Sequence, residues 1–306
     1  MAVPIRYTLA HGPVIAALGR VAMSGLRKDK KPTQARAIPG PWIEARLPPR
    51  PAEIVRDYIR NVGGDPGWYR NRVPAHFFPE WGFPLGQRAL EGLGYPLVRG
   101  MNAGCRIENR APLPAGEPLE VRARIESIDD DGRRAIIVQK VITGTSRVPE
   151  AVVAEMRVFV PLGKKGGKRD DGADAKKPKT RPTVPADARE ISFLRIPENA
   201  GLDFAKLTGD FNPIHWLAPY ARASGFRTVI LHGFATFARA IEALNRSRFA
   251  GDPTRLKVID ARFSRPLVLP ARVGIYVTND GGIWVGDAPG GGAYLEGRFE
   301  TETRSS

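Results

Sequence analysis

Residues Thr208-Gly209-Asp210-Phe211-Asn212-Pro213-Ile214-His215 place a carboxylate, a carboxamide and an imidazole within six positions, and a second run, Leu231-His232-Gly233-Phe234, follows. A carboxylate and an imidazole side by side can hold one water molecule and move its proton, which is the requirement for general acid–base chemistry. Asn212 is a good N-cap and Pro213 suits a first helical position, so the spacing predicts a helix over 213–223 that begins just after Asp210. His215 then lies in the first turn of that helix. The positive end of a helix dipole disfavours imidazolium, so this placement predicts a neutral ring able to accept a proton. Taken singly, Asp210 and Asn212 read as turn formers and His215 and His232 as buried structural histidines; it is the density of the string that points to chemistry.

The flanking patterns say what must position these groups. Helices are expected over 51–62, 83–93, 203–208 and 234–244. Val- and Ile-rich strands are expected over 106–111, 119–128, 135–143, 151–160, 189–195, 256–263, 271–278, 283–287 and 293–301. Asp129-Asp130-Asp131-Gly132 and Asn279-Asp280-Gly281-Gly282 are hairpin signals between consecutive strands.

The two halves also match each other. Residues 81–93 align without gaps on 232–244, with Gly-Phe, Arg-Ala, Glu and Leu identical, and Arg110-Ala111-Pro112-Leu113 corresponds to Ser264-Arg265-Pro266-Leu267. A helix followed by an antiparallel meander, twice, predicts two units that join their edge strands into one sheet, a pseudo-dimer in one chain. The repeat fails at the chemistry. Gly63-Gly64-Asp65 is followed by Pro66-Gly67-Trp68-Tyr69-Arg70, and Trp81 stands where the second half has His232. Asp65 is therefore expected to be a turn residue, and one active site per chain is expected.

The boundaries that follow are an N-terminal amphipathic and basic extension over 1–45, a degenerate unit over 46–162, a basic linker over 163–189 and a catalytic unit over 190–306. Within the extension, Ile15, Leu18, Ala22 and Leu26 form an apolar face, expected to pack on the outside of the fold; Arg20 interrupts the apolar run, against a secretory signal.

The 306 residues carry 47 Lys and Arg against 32 Asp and Glu, a net charge of +15. Residues 1–40 and 163–189 hold +11 of it, so the excess lies in two segments of low folding propensity and not on a folded nucleic-acid-binding face. A non-catalytic module that uses these segments on nucleic acid or an anionic membrane is the alternative from a different class. The one cysteine, Cys105, excludes an intramolecular disulfide and fits a reducing cytoplasmic setting. No apolar run reaches the length a membrane span requires.

The string Thr-Gly-Asp-Phe-Asn-Pro-Ile-His, the later His-Gly and the duplicated unit resemble the MaoC-like dehydratase family of the hot dog superfamily, closest to type-2 (R)-specific enoyl-CoA hydratases and 3-hydroxyacyl-thioester dehydratases. The resemblance implies an α+β double hot dog, with two helix-wrapped antiparallel sheets joined as a pseudo-dimer. It implies reversible syn hydration of a trans-2-enoyl thioester to the (R)-3-hydroxyacyl thioester, without metal or redox cofactor. Asp210 and His215 map onto the catalytic pair. Gly233 maps onto the residue whose backbone N–H receives the enolate oxygen, and Asn212 matches the residue that orients the water, the aspartate or the turn. Phe83, Trp81 and Phe234 become candidates for an acyl pocket, with the degenerate unit making room for the chain. The thioester carrier is expected to be coenzyme A, with an acyl carrier protein as the alternative, and homodimerisation is compatible but not required.

Overall fold

A computed structural model describes residues 3–11, 37–162 and 181–302. Ten strands form one antiparallel sheet: β1 (Ile43–Leu47), β2 (Met101–Asn109), β3 (Leu119–Asp130), β4 (Arg134–Gly144), β5 (Val152–Pro161), β6 (Arg189–Ile196), β8 (Leu256–Phe263), β10 (Ala271–Val277), β11 (Gly282–Gly286) and β12 (Ala293–Thr301). Two short strands, β7 (Ile230–Leu231) and β9 (Leu267–Val268), pair separately. The sheet order is β1-β3-β4-β5-β2-β8-β12-β11-β10-β6, so each half carries the same permutation and the halves meet at β2 and β8. This is the double hot dog that the duplication requires.

Strand formation follows the side-chain pattern. Along β3 the residues Leu119, Val121, Ala123 and Ile125 are buried while their neighbours face outward, the period of two that fixes a half-buried strand. At the seam, Ile107 pairs with Ile259 and both are fully buried, which removes two edges that would otherwise invite aggregation. Arg157 on β5 clasps Asp260 on β8 through two contacts of 2.6 and 2.9 Å, a planar fork across the seam.

Among the described residues six α-helices accompany the sheet: α1 (Ala52–Asn61), α2 (Pro66–Tyr69), α3 (Pro79–Leu90), α4 (Ala200–Thr208), α5 (Ala218–Ala223) and α6 (Gly233–Ser247). α6 is the central one, with Phe234, Phe237, Ile241 and Leu244 in the core. Asp65 caps α2 by accepting from the Gly67 N–H at 2.8 Å, the turn role expected of it.

Three local expectations change. The helix expected from Phe83 starts at Pro79, because a proline at the first helical position is a stronger start signal than the repeat alignment. Gly82 therefore lies inside α3 whereas Gly233 opens α6, so the repeat is offset where it matters. The single helix expected over 213–223 is two pieces, a 3-10 turn at Pro213–His215 and α5, since Trp216 leaves helical geometry and Pro219 starts a new helix. Strand β1, which the pattern did not single out, spans the boundary expected at residue 45 and pairs with β3.

Residues 5–11 form a 3-10 helix against α4, held by Lys206 Nζ donating to the Val3 carbonyl at 3.1 Å and by Tyr7 O–H donating to Asp57 at 2.7 Å. The apolar face expected at Ile15 to Leu26, and the linker up to residue 180, lie outside the described residues.

Candidate active site

Helix α4 ends at Thr208, and Gly209 follows with φ of 79°, a left-handed conformation that a side chain would strain. The reversal leaves the Asp210 side chain largely buried, 13% exposed. Asn212 then caps the turn, its Oδ1 accepting from the Ile214 N–H at 3.3 Å, and Asp210 Oδ1 accepts from the Asn212 N–H at 3.4 Å. The role of Asn212 in this geometry is to close the turn that separates Asp210 from His215; its Nδ2 has no partner among the described residues.

His215 Nδ1 faces the Ile230 carbonyl at 2.9 Å. A carbonyl accepts only, so Nδ1 carries the hydrogen and Nε2 is left with a lone pair. Burial lowers the His215 pKa below the ordinary 6.5, with Asp210 partly opposing. Desolvation, and not a helix dipole, is what favours the neutral ring, since a three-residue 3-10 turn has no sizeable dipole. Burial likewise raises the Asp210 carboxyl, against the pull of His215.

His232 takes a larger part than its sequence context indicates. Its ring stacks on His215 with centroids 3.6 Å apart at 27°, and its Nε2 donates to the Asp210 backbone carbonyl at 3.0 Å. Phe204 of α4 packs against the other part of the ring at 4.9 Å. Its Nδ1 is buried without a hydrogen-bond partner, and burial followed by the nearby His215 pushes its pKa well below 6.5. One side chain therefore fixes the Asp210 main chain and the His215 ring together.

Gly201 is a second residue that motif reading missed. A Cβ there would run into the His215 carbonyl oxygen, so glycine is what allows α4 and the 213–215 turn to approach. Gly233 opens α6, and its N–H has no acceptor within the helix, which leaves a donor at the positive end of the dipole. A Cβ at Gly233 would meet the Phe263 ring.

The apolar candidates divide. Phe234 packs edge-on against Phe83 at 5.2 Å, Phe263 at 5.4 Å and Phe78 at 5.8 Å, a cluster contributed by both units. Trp81 is not part of it: its indole N–H donates to Thr143 Oγ1 at 2.9 Å and its ring packs on Phe77 inside the first unit. Trp81 and Phe234 are both core residues, and Phe83 and Phe263 are partly buried against the same core.

Asp210, His215 and His232 each offer a ligand atom within 4.8 Å of the others, the composition of a metal site. The two ring nitrogens that face carbonyls are closed to a metal because they carry hydrogens. The trio is better suited to proton handling: a neutral imidazole with one free nitrogen, a partly desolvated carboxylate beside it, and a helix-start N–H nearby.

Residues 172–287 match the family profile described as the MaoC like domain. The chain is 29% identical to 3-hydroxyacyl-thioester dehydratase X of Mycobacterium tuberculosis over 218 residues, 71% of this chain and 73% of that protein. It is 28% identical to enoyl-CoA hydratase ChsH3 of the same organism over 177 residues, covering 56% of this chain and 58% of the relative. The crystal structure of HtdX from Mycobacterium tuberculosis superimposes with a TM-score of 0.65 at 23% identity, over 85% of this chain and all of that one. The chain shares the double hot dog fold with these structures, and its second unit is similar to the MaoC like domain.

Proposed function

We propose that the chain hydrates trans-2-enoyl thioesters reversibly to (R)-3-hydroxyacyl thioesters at one site built from Asp210, His215 and Gly233. The observation that carries this reading is the fixed tautomer of His215. With Nδ1–H committed to the Ile230 carbonyl, Nε2 is a base next to the Asp210 carboxylate.

In the hydration direction, His215 Nε2 takes a proton from water as its oxygen bonds to Cβ. The alkene electrons move to the thioester and form an enolate. The Gly233 N–H receives the enolate oxygen, where a fixed donor in a partly desolvated site is worth most. The imidazolium, stabilised by Asp210, returns the proton to Cα. One carrier on one face gives syn addition, the atoms balance, and the route needs no metal or redox cofactor.

The names of the relatives support the substrate class, one a 3-hydroxyacyl-thioester dehydratase and one an enoyl-CoA hydratase. Phe83 and Phe263 supply an apolar wall for the acyl chain. Incubation with trans-2-enoyl-CoA and with the same chain on an acyl carrier protein, followed by chiral analysis, tests the reading. It expects the (R)-alcohol; the (S)-alcohol, or no product on either carrier, contradicts it.

A further inference from the structure

A pocket at the far end of the β2–β8 seam is separate from the site just described. Phe263 ends β8 near Gly233, whereas the pocket lies at the other end, between Asn109 and Leu256. Along α6 the two places are twelve residues apart, roughly 18 Å at helical rise. In the internal repeat, Asn109 stands where the second unit has Phe263. Asn109, and not an aromatic ring, lines this end, beside a cavity of about 70 Å³.

The walls are apolar: Val73, Ile107, Leu113, Val152, Ile241 and Ile259. The closed end is polar and belongs to a buried network that joins the two units. Tyr69 O–H donates to Glu242 Oε1 at 2.7 Å, His76 Nε2 lies 3.0 Å from the same oxygen, and Asn245 Nδ2 donates to the Tyr69 oxygen at 3.0 Å and to Glu242 Oε2 at 3.1 Å. Because the Asn245 nitrogen is committed to Tyr69 and Glu242, its Oδ1 is turned away from them. That oxygen is buried with no donor, although Asn245 is fully inaccessible. A buried acceptor without a donor is costly, and a ligand hydroxyl at this end would relieve it.

The open end is cationic. Arg72 and Lys257 line it and both are part-exposed. Lys257 pairs with Glu302 at 2.9 Å, while Arg72 makes no ion pair among the described residues and its charge acts at longer range on Asp252. The interunit network explains why His76 and Glu242 are buried together. It does not explain an open apolar pocket with a cation at its mouth and an orphaned acceptor at its floor.

We propose that this pocket is a second, non-hydrating ligand site for an amphipathic monoanion that carries a carboxylate at one end and a hydroxyl at the other, an ω-hydroxy carboxylic acid of medium length. The carboxylate meets Arg72, the chain lies along Ile107, Ile241 and Ile259, and the hydroxyl donates to Asn245 Oδ1. The site lacks the Asp210–His215 pair and does no chemistry. This assignment stands independently of the proposed hydratase activity.

The test is calorimetric titration of the full chain with 8-hydroxyoctanoate and with octanoate, repeated on Arg72→Gln and on Ile241→Trp, which fills the pocket. One saturable site for the hydroxy acid is expected, with octanoate about tenfold weaker for want of one hydrogen bond. Arg72→Gln is expected to weaken the hydroxy acid about tenfold and Ile241→Trp to abolish binding. Arg72→Gln supplies the test if Ile241→Trp fails to fold. Crotonyl-CoA hydration, where present, is expected to be unaffected by the acid and by Arg72→Gln. Absence of saturable binding, equal affinity for the two acids, indifference to Arg72→Gln, or competition with crotonyl-CoA would each overturn the assignment.

Discussion

The imidazoles of His215 and His232 stack with centroids 3.6 Å apart, and the His232 Nε2 hydrogen holds the Asp210 carbonyl at 3.0 Å. The pair proposed to handle the proton is therefore aligned by a third side chain that need not touch substrate. His232→Phe keeps a ring for the stack but removes the hydrogen bond. It is expected to lower kcat roughly 10- to 100-fold with little change in KM, the signature of lost alignment. Steady-state assays of the variant and of His232→Gln, which can restore a donor, check this. If His232→Phe changes KM alone, His232 is not a positioning residue.

Gly201 and His215 make the second through-space constraint. In a helix interior alanine is ordinarily favoured over glycine by about 1 kcal/mol. Gly201→Ala should nevertheless destabilise the chain by about 1–3 kcal/mol and lower kcat, because its methyl group displaces the His215 carbonyl. A denaturant midpoint at or above that of the wild type would remove this constraint from the account.

Gly233 and Phe263 predict a rescue. Gly233→Ala drives a methyl group into the Phe263 ring and should reduce activity at least tenfold by shifting the α6 start. The double variant with Phe263→Leu makes room and is expected to recover part of the loss. Equal loss in the single and the double variant would mean that packing against Phe263 is not the cause.

The proposed mechanism requires His215 neutral and Asp210 ionised. Burial lowers His215 from 6.5, so kcat/KM should be level at neutral pH and fall on the acid side only below 6.5. Asp210→Asn removes a charge that raises His215, and the acid limb of the residual activity should move to still lower pH. Stability follows the same sign. Unfolded histidines take up protons near 6.5, which His215 and His232 resist when folded, so the denaturant midpoint should drop as the pH falls below that value. Constant stability between about pH 7.5 and 5.5 would contradict this.

The parts legible in the sequence are those written locally. Asn212, Pro213 and Gly209 specify their turn through their own backbone preferences, and β3 announces itself by strict alternation of Leu119, Val121, Ala123 and Ile125. The duplication was legible because both units keep the Gly-Phe and Arg-Ala positions. Gly201, His232 and Phe263 were not legible as site residues, since each acts across space on a partner far along the chain. The orphaned Asn245 oxygen was equally hidden, because its environment is assembled from both units. The helix starts at Pro79 and Pro219 were present in the sequence, but the repeat alignment and the Asn212 cap outweighed them.

The central claim is that Asp210 and His215 move one proton as a unit. The most direct measurement is loss of the enone absorbance of crotonyl-CoA by wild type, Asp210→Asn, His215→Ala and the double variant. Each single variant should lose about a hundredfold or more in kcat, and the double variant little beyond the worse single one, as for residues that act together. Turnover at the wild-type rate in both single variants would contradict the account.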